Sequence, residues 1–489
     1  MASEIRVNKI ENRSGLGTVT FADTGVDLAG IVTATTFSGS GASLTNLPAA
    51  NVTGTLPAIS GANLTNLPAA NLTGTLPAIS GANLTGIAAT DNVRTGILDV
   101  AGVSTFRNTM NVGAAVTISE SGIEASGIGI TCANINGTQI GGRRNLIING
   151  AMQVAQRGTS STSSGYQALD RFPVYLNGAD ENPTHAQVSV DSGTTPYTLG
   201  FRTALKITNG NQTGGAGSND YVWIQQKIEA QNISQSGWNY TSASSYITLS
   251  FWVRSSVAQT FKGYIETIDG TAMQYPFETG SLSANTWTKI TKTIPGHANL
   301  SFDTNNGEGF KFSVIPMMGT DKTSSSVTED AWGTYSSSAR IKDVTTTWWT
   351  TNDSTFELTG VQLEVGPQAT PFEFRSYGEE LALCQRYYYV SGTPSGGGGL
   401  FMYDSGQTSV SYGSLRFTQT MRATPTVVLR DNNGNTDGKA TQHGAAHDIA
   451  ATAADINTNG FSKVNKNSGN WTTGAGCPII CGCTAAAEL

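Results

Sequence analysis

Aromatic rings set among short polar side chains are the feature of this sequence with the clearest chemistry. A Trp or Tyr ring can stack on the apolar face of a pyranose while neighbouring Asp, Asn or Gln side chains bond its hydroxyls. Trp348 and Trp349 follow three threonines and precede Thr350-Thr-Asn-Asp, a loop-like setting. On a strand, adjacent residues face opposite ways, so one of the two rings is a candidate for exposure. Trp332 lies with Tyr335 in a second loop, 329–338. Nearer the C-terminus, Tyr403 and Tyr412 stand with Phe401 near Asp404, Asp431, Asn432, Asn433 and Asp437. Trp471 sits in the turn-rich run Asn-Ser-Gly-Asn-Trp-Thr-Thr-Gly. Packing in a core is the competing role for each of these rings. Trp252 and Trp287 lie inside strand-like runs, where burial is the default.

Other chemistries are less well supported. His443 and His447 are four apart, and Cys477, Cys481 and Cys483 follow. Imidazole and thiolate suit zinc, but CxxxCxC is not a common zinc spacing, so no metal is expected. Asp431-Asn-Asn-Gly-Asn-Thr-Asp-Gly lacks the glutamate that closes a calcium loop and reads as a turn. Polysaccharide-cutting enzymes need paired carboxylates about 5–9.5 Å apart. Asp269, Glu278, Asp303 and Glu308 are present, but no spacing singles out a pair. No nucleophile elbow or phosphate-binding loop is evident. The chain is therefore expected to be no enzyme and to need no cofactor.

What must position such rings is a β framework. Charged residues are 13% of the 489, against roughly 25% in average domains, and there are 57 glycines. Ser, Thr and Asn stand where good helix formers would, which excludes a mostly helical or doubly wound architecture. The formal charge is −7, and the longest positive run is Arg143-Arg144, which disfavours nucleic acid as a partner. No apolar run reaches the ~18–20 residues of a membrane span, and the N-terminus has no apolar signal region. Five cysteines, unevenly placed, do not describe a disulfide framework.

Residues 39–58 read GSGASLTNLPAANVTGTLPA, residues 59–78 read ISGANLTNLPAANLTGTLPA, and a third copy opens at Ile79, giving a period of 20. Pro48, Pro57, Pro68 and Pro77 bar a long helix. One strand of such material buries little, and ordering it costs ~1–2 kcal/mol per residue in backbone entropy. The recurring leucines call for cover from sister chains; the alternative is a disordered linker. From Arg143 onward strand-like runs appear at 246–254, 260–268, 286–294 and 355–365, separated by Pro, Gly, Asn and Asp. They predict a β-sandwich of jelly-roll type. Residues 377–390 are the best helix candidate, with Leu381, Cys384 and Tyr388 on one face. Further strand-like runs at 409–417 and 426–430 predict a small β-rich terminal domain.

Asn145-Leu-Ile-Ile-Asn-Gly-Ala-Met-Gln-Val-Ala-Gln-Arg-Gly-Thr with Leu169-Asp-Arg-Phe resembles the start of a carbohydrate-binding-like jelly roll of bacteriophage tail fibres. Phe356-Glu-Leu-Thr-Gly-Val-Gln-Leu-Glu-Val-Gly and Ala369-Thr-Pro-Phe-Glu-Phe-Arg-Ser-Tyr-Gly-Glu-Glu-Leu-Ala-Leu-Cys-Gln-Arg-Tyr-Tyr resemble its final strands and exit helix. Met421-Arg-Ala-Thr-Pro-Thr-Val and the closing Ala-Ala-Glu-Leu resemble the distal module that often follows. The repeats and the opening VNKIENRSGLGTVTFADTG resemble fibres of phages infecting cyanobacteria and other marine bacteria.

The resemblance implies an all-β, elongated homotrimeric fibre. Its parts are a virion-attachment segment (1–38), a repetitive trimeric shaft (39–142), a jelly-roll domain (143–376), a helix and Gly-rich linker (377–398) and a receptor-binding tip (399–489). The implied partners are two further copies, a phage tail or baseplate protein, and a host surface polysaccharide or lipopolysaccharide. The implied place is the virion tail, assembled in the bacterial cytoplasm. By position, the C-terminal aromatics are the better receptor candidates. A structural virion protein (a fibre adaptor or capsid fibre) is the alternative function, and a polysaccharide depolymerase spike is the second.

Overall fold

A computed structural model describes residues 9–11, 18–23, 25–28, 30–36, 38, 45, 110–112, 116–119, 122–125, 134–135, 138–139, 144–392, 400–404, 409–431, 433–442, 448–467 and 479–489. The twenty-residue repeat, Trp471, His443, His447, Cys132, Cys477 and the SGGGG run lie outside the described residues, apart from Thr45. The chain divides into two compact units, Met1–Phe106 and Arg107–Leu489. In the first, β1 (Lys9–Glu11), β2 (Thr18–Ala22) and β3 (Gly25–Leu28) form an antiparallel meander. Val26, Leu28, Ile31 and Val32 are exposed there, Ile31 to 98%.

The second unit opens with the meander β4 (Met110–Val112), β5 (Val116–Ser119) and β6 (Gly122–Ala125) and the hairpin of β7 (Asn134–Ile135) and β8 (Thr138–Gln139). A two-sheet sandwich follows. Its strands are β9 (Ser160–Ser161), β10 (Val174–Asn177), β11 (Thr184–Ser189), β12 (Thr203–Thr208), β13 (Tyr221–Glu229) and β14 (Tyr246–Ser255). They continue with β15 (Gln259–Thr267), β16 (Met273–Leu282), β17 (Thr288–Pro295), β18 (Glu308–Met318), β19 (Gly333–Thr334) and β20 (Thr355–Val365). One sheet runs β17-β14-β20-β12-β11-β9 and the other β10-β13-β18-β15-β16-β19, with every pairing antiparallel. The expected all-β sandwich is the architecture seen.

Period-two patterning explains the core. Ile247, Leu249, Phe251 and Val253 of β14 point inward and are all buried. On β20 the inward set shifts from Phe356 and Leu358 to Val361 and Leu363. The shift falls at Gly360, whose φ of 63° lies in the left-handed region and whose Cβ, if present, would stand 2.7 Å from the Phe201 ring. Asn145 secures the sandwich's first residues to this strand. Its side chain accepts from Leu363 N and donates to Val361 O.

The predicted helix is shorter than expected. α1 (Thr195–Thr198), α2 (Ala230–Ser234) and α3 (Thr347–Thr350) are single turns, and α4 runs Tyr377–Gln385 behind a capping box of Ser376 and Glu379. Glu380, Cys384 and Tyr387 are the buried positions, rather than Leu381 and Tyr388. Tyr388–Val390 instead forms β21, paired with β28 (Ile479–Ala486). Consecutive tyrosines followed by Val suit a strand better than a helix end.

The remaining strands are β22 (Leu400–Asp404), β23 (Val410–Arg416), β24 (Thr426–Arg430), β25 (Lys439–Gln442), β26 (Asp448–Asn457) and β27 (Gly460–Lys466). Because β25 pairs with both β26 and β28, the path β28-β22-β23-β27-β26-β25 returns to its start. Closure leaves that path without a free edge, while β21 and β24 each pair with β28 outside it. Cys481 and Cys483 lie in this domain's core, where burial pushes both thiols up to about 12.

Candidate functional site

Two surfaces carry the residue types of a sugar site. The first is the outer face of the sheet containing β13. Val222, Ile224 and Ile228 of that strand enter the core, which turns Tyr221, Trp223, Gln225, Lys227 and Glu229 outward. Register sets Gln225 beside Ser313 and Tyr264, and Lys227 beside Lys311 and Glu266. Lys311 Nζ lies 3.2 Å from Glu266 and 2.8 Å from Glu308, while burial lowers its pKa against the pull of Glu266.

This face is already occupied by the chain itself. Trp223 stacks on Tyr221 at 4.8 Å, and the Arg340 guanidinium lies 4.8 Å over the Trp223 ring. Lys322 caps Tyr221 at 5.5 Å, and Tyr335 Oη accepts from Arg340 Nε at 2.9 Å. These cations take the ring faces that a sugar would use. Ile341 covers one end of the face, packed with Tyr264, Ile315 and Met318. At the other end Lys227 donates to Leu489 O at 2.9 Å.

Several sequence candidates are corrected by their surroundings. Trp348 and Trp349 lie on α3, not in an open loop, and both are fully buried in the sandwich core. A helical turn can send adjacent large rings into one core, whereas the strand argument placed one outside. Asn209 Nδ2 donates to Trp349 O, and Trp349 Nε1 donates to Gly215 O, both at 2.7 Å. Neither ring offers a face to a sugar. Trp332 is half-buried, donates Nε1 to Pro295 O at 2.7 Å and meets Tyr275 edge-on at 5.3 Å. Trp252 and Trp287 pack on a small outer cluster with Phe201. Among the carboxylates, Glu278 is paired with Lys262 at 2.6 Å, Glu308 with Lys227 at 2.9 Å, and Asp269 accepts from Asp303 N at 3.0 Å. Asp431 is buried and accepts from Asn435 N, as a turn requires.

The second surface is on the C-terminal domain. Tyr412 is 49% exposed on β23, in register with Tyr403 of β22 on one side and Lys463 of β27 on the other. The described residues include the backbone of Tyr403 but not its side chain, and Trp471 lies outside them. The β23–β27 register slips between Tyr412 and Leu415. Past that bulge, Arg416 pairs with Gly460, and both line a cavity of about 290 Å³. A Cβ on Gly460 would lie 1.9 Å from Leu415 O, so the close strand approach itself demands glycine there. Ser414, Arg416, Asn457, Asn459 and Ser462 line the opening. Among the described residues the Arg416 guanidinium has no ion-pair or hydrogen-bond partner. Arg416, Asn457 and Ser462 were not singled out from the sequence. Their proximity depends on a bulge and a turn that no local spacing reports.

This domain is held firmly against the sandwich. Glu229, wholly buried, accepts from Arg386 Nε at 2.7 Å, Arg386 Nη2 at 2.8 Å and Tyr387 Oη at 2.6 Å. Burial pushes the Glu229 carboxyl up, but these donors outweigh it and hold its pKa below the ordinary range. Glu488 pairs with Arg171 and, at 3.0 Å, with Arg157. Arg422 Nη1 donates to Asn306 O of the sandwich at 3.0 Å.

No protein-family model matches the chain, and no curated protein matches it. Among solved structures, a domain of the bacteriophage CBA120 tailspike protein 4 aligns at 11% identity and a TM-score of 0.24. It covers 45% of this chain and 21% of that one, so the match spans about a fifth of the tailspike chain. A putative sugar binding protein from Bacteroides thetaiotaomicron aligns at 14% identity and a TM-score of 0.23, covering 45% and 100%. A family 11 carbohydrate-binding module from Clostridium thermocellum aligns at 10% identity and a TM-score of 0.20, covering 43% and 98%. Scores this low carry no argument about what this chain binds.

Proposed function

We propose that this chain is a non-catalytic bacteriophage tail fibre that binds a bacterial surface glycan and thereby mediates adsorption. In this reading three copies wrap in parallel along the repeat. The N-terminal segment docks on a tail or baseplate protein, and the C-terminal domain meets host polysaccharide or lipopolysaccharide. The virion tail is its place, after assembly in the host cytoplasm. No cofactor or nucleic acid takes part.

The observation that carries the reading is the C-terminal surface, where exposed Tyr412 shares a strand with the polar cavity at Arg416. An open aromatic ring and, farther along the same strand, unengaged hydrogen-bond donors suit a sugar whose oxygens accept. The exposure of Val26, Leu28, Ile31 and Val32 supports cover by sister chains. The closed outer face of the β13 sheet supports a spacer role for the sandwich. Three tips would also gain avidity from individually weak contacts. The test is a panel of bacterial surface glycans against the full chain, with reducing-end release measured alongside. Saturable binding without release supports adhesion. Release would make the chain a depolymerase, and no binding to any glycan would favour a virion scaffold.

A further inference from the structure

We infer that the cavity at Arg416 takes a carboxylate-bearing sugar unit, a hexuronate of the surface glycan; this rests on the adhesive reading above. The argument is the balance of donors and acceptors around the opening. Arg416 supplies a guanidinium fork that no described carboxylate engages. Asn457 Oδ1 already accepts from Asn459 N at 2.8 Å, which fixes that amide's orientation and leaves its Nδ2 group to donate. Asn459 Oδ1 accepts from Thr420 Oγ1 at 3.0 Å, so its Nδ2 is likewise unengaged. Ser414 and Ser462 add hydroxyls at the rim. No carboxylate lines the cavity among the described residues.

A site for a neutral sugar needs acceptors for the ring hydroxyls. Here donors dominate, so the ligand must bring the acceptor oxygens. A planar carboxylate matches the guanidinium fork in two parallel hydrogen bonds, and the serines remain for ring hydroxyls. The volume, about 290 Å³, lies at the small end of ligand sites (~300–1,000 Å³) and suits one sugar unit rather than a chain. Gly460, the register partner of Arg416, also lines the cavity and must be glycine because a Cβ would meet Leu415 O. Arg416 is exposed, so a single unit binds weakly, and the affinity of a polymer comes from repetition along the glycan and across copies.

The test is a ligand-observed NMR titration of the full chain with sodium D-glucuronate, D-glucose and inorganic phosphate, for wild type, Arg416→Gln and Asn457→Ala. Arg416 and Asn457 are exposed, so unchanged melting serves as the folding control. The expected result is saturable glucuronate binding, weakened about tenfold by Arg416→Gln and reduced by added salt, with glucose and phosphate each at least about fivefold weaker. Phosphate binding as tightly as glucuronate would overturn the inference by making the site a plain oxyanion cradle. Glucose matching glucuronate, or indifference to Arg416→Gln, would overturn it too. Failure with glucuronate while a glycan panel still saturates the chain removes this inference alone; failure of the whole panel removes the adhesive reading with it.

Discussion

Replacing Glu229 with Gln tests whether the C-terminal domain is locked to the sandwich. The carboxylate is wholly buried and accepts from Arg386 twice and from Tyr387 once. Glutamine keeps the volume but removes the charge and turns an NH2 group toward these donors. Breaking a buried ion pair costs roughly 3–5 kcal/mol. Arg386 is 31% exposed and regains some water, so the lower end applies, about 3 kcal/mol. The chain has several domains, so a single unfolding free energy is ill-defined, and a local readout is needed. The amides of Arg422 and Ala487 bond to Arg386 O and Tyr387 O, the carbonyls of the two anchoring residues, each at 2.8 Å on the C-terminal side of this junction. If local opening governs their hydrogen exchange, the variant should exchange about a hundredfold faster at both. The far-edge strand β17 should be unchanged. Acceleration below about threefold at the junction, or equal acceleration in β17, would refute the reasoning.

Three further outcomes follow from the same geometry. Trp348→Ala should destabilise the sandwich by about 3–5 kcal/mol, read by the urea midpoint, because the ring is fully buried. Burial lowers the pKa of His185 despite its hydrogen bond to Ser163 O. The unfolded chain therefore takes up the proton first. Stability from this group is full above the unfolded value of about 6.5 and is lost as pH falls through it toward the lower folded value. Melting between pH 7.5 and 5 should fall less steeply in His185→Gln, whose amide can still donate to Ser163 O. Tyr412→Ala should weaken glycan binding about tenfold with unchanged melting, since nearly half the residue faces water.

The sandwich was legible because its strands announce themselves by alternation. The runs read at 246–254, 260–268 and 355–365 match β14, β15 and β20 within one residue at either end. The strand that carries Trp223 has a signal of the same kind. Tyr221-Val-Trp-Ile-Gln-Gln-Lys-Ile alternates as clearly, and its outward set describes the whole occupied face. Trp348 and Trp349 misled because threonine-rich flanks look like a loop, while one helical turn is enough to send both rings inward. The Arg416 cavity was not legible at all. It arises from a register slip on β23, a glycine demanded by the opposite carbonyl, and asparagines from the β26–β27 turn. Each is a long-range pairing outcome rather than a property of neighbours in the chain. The short α4 has the same cause, because pairing with β28 draws Tyr388–Val390 away from the helix.

The most direct test is equilibrium binding of the purified full chain to bacterial surface polysaccharide, with Tyr412→Ala and Arg416→Gln measured beside it and polymer length followed throughout. The account predicts saturable binding that each substitution weakens, with the polymer left intact. Binding that neither substitution changes, or a polymer that shortens, would contradict it.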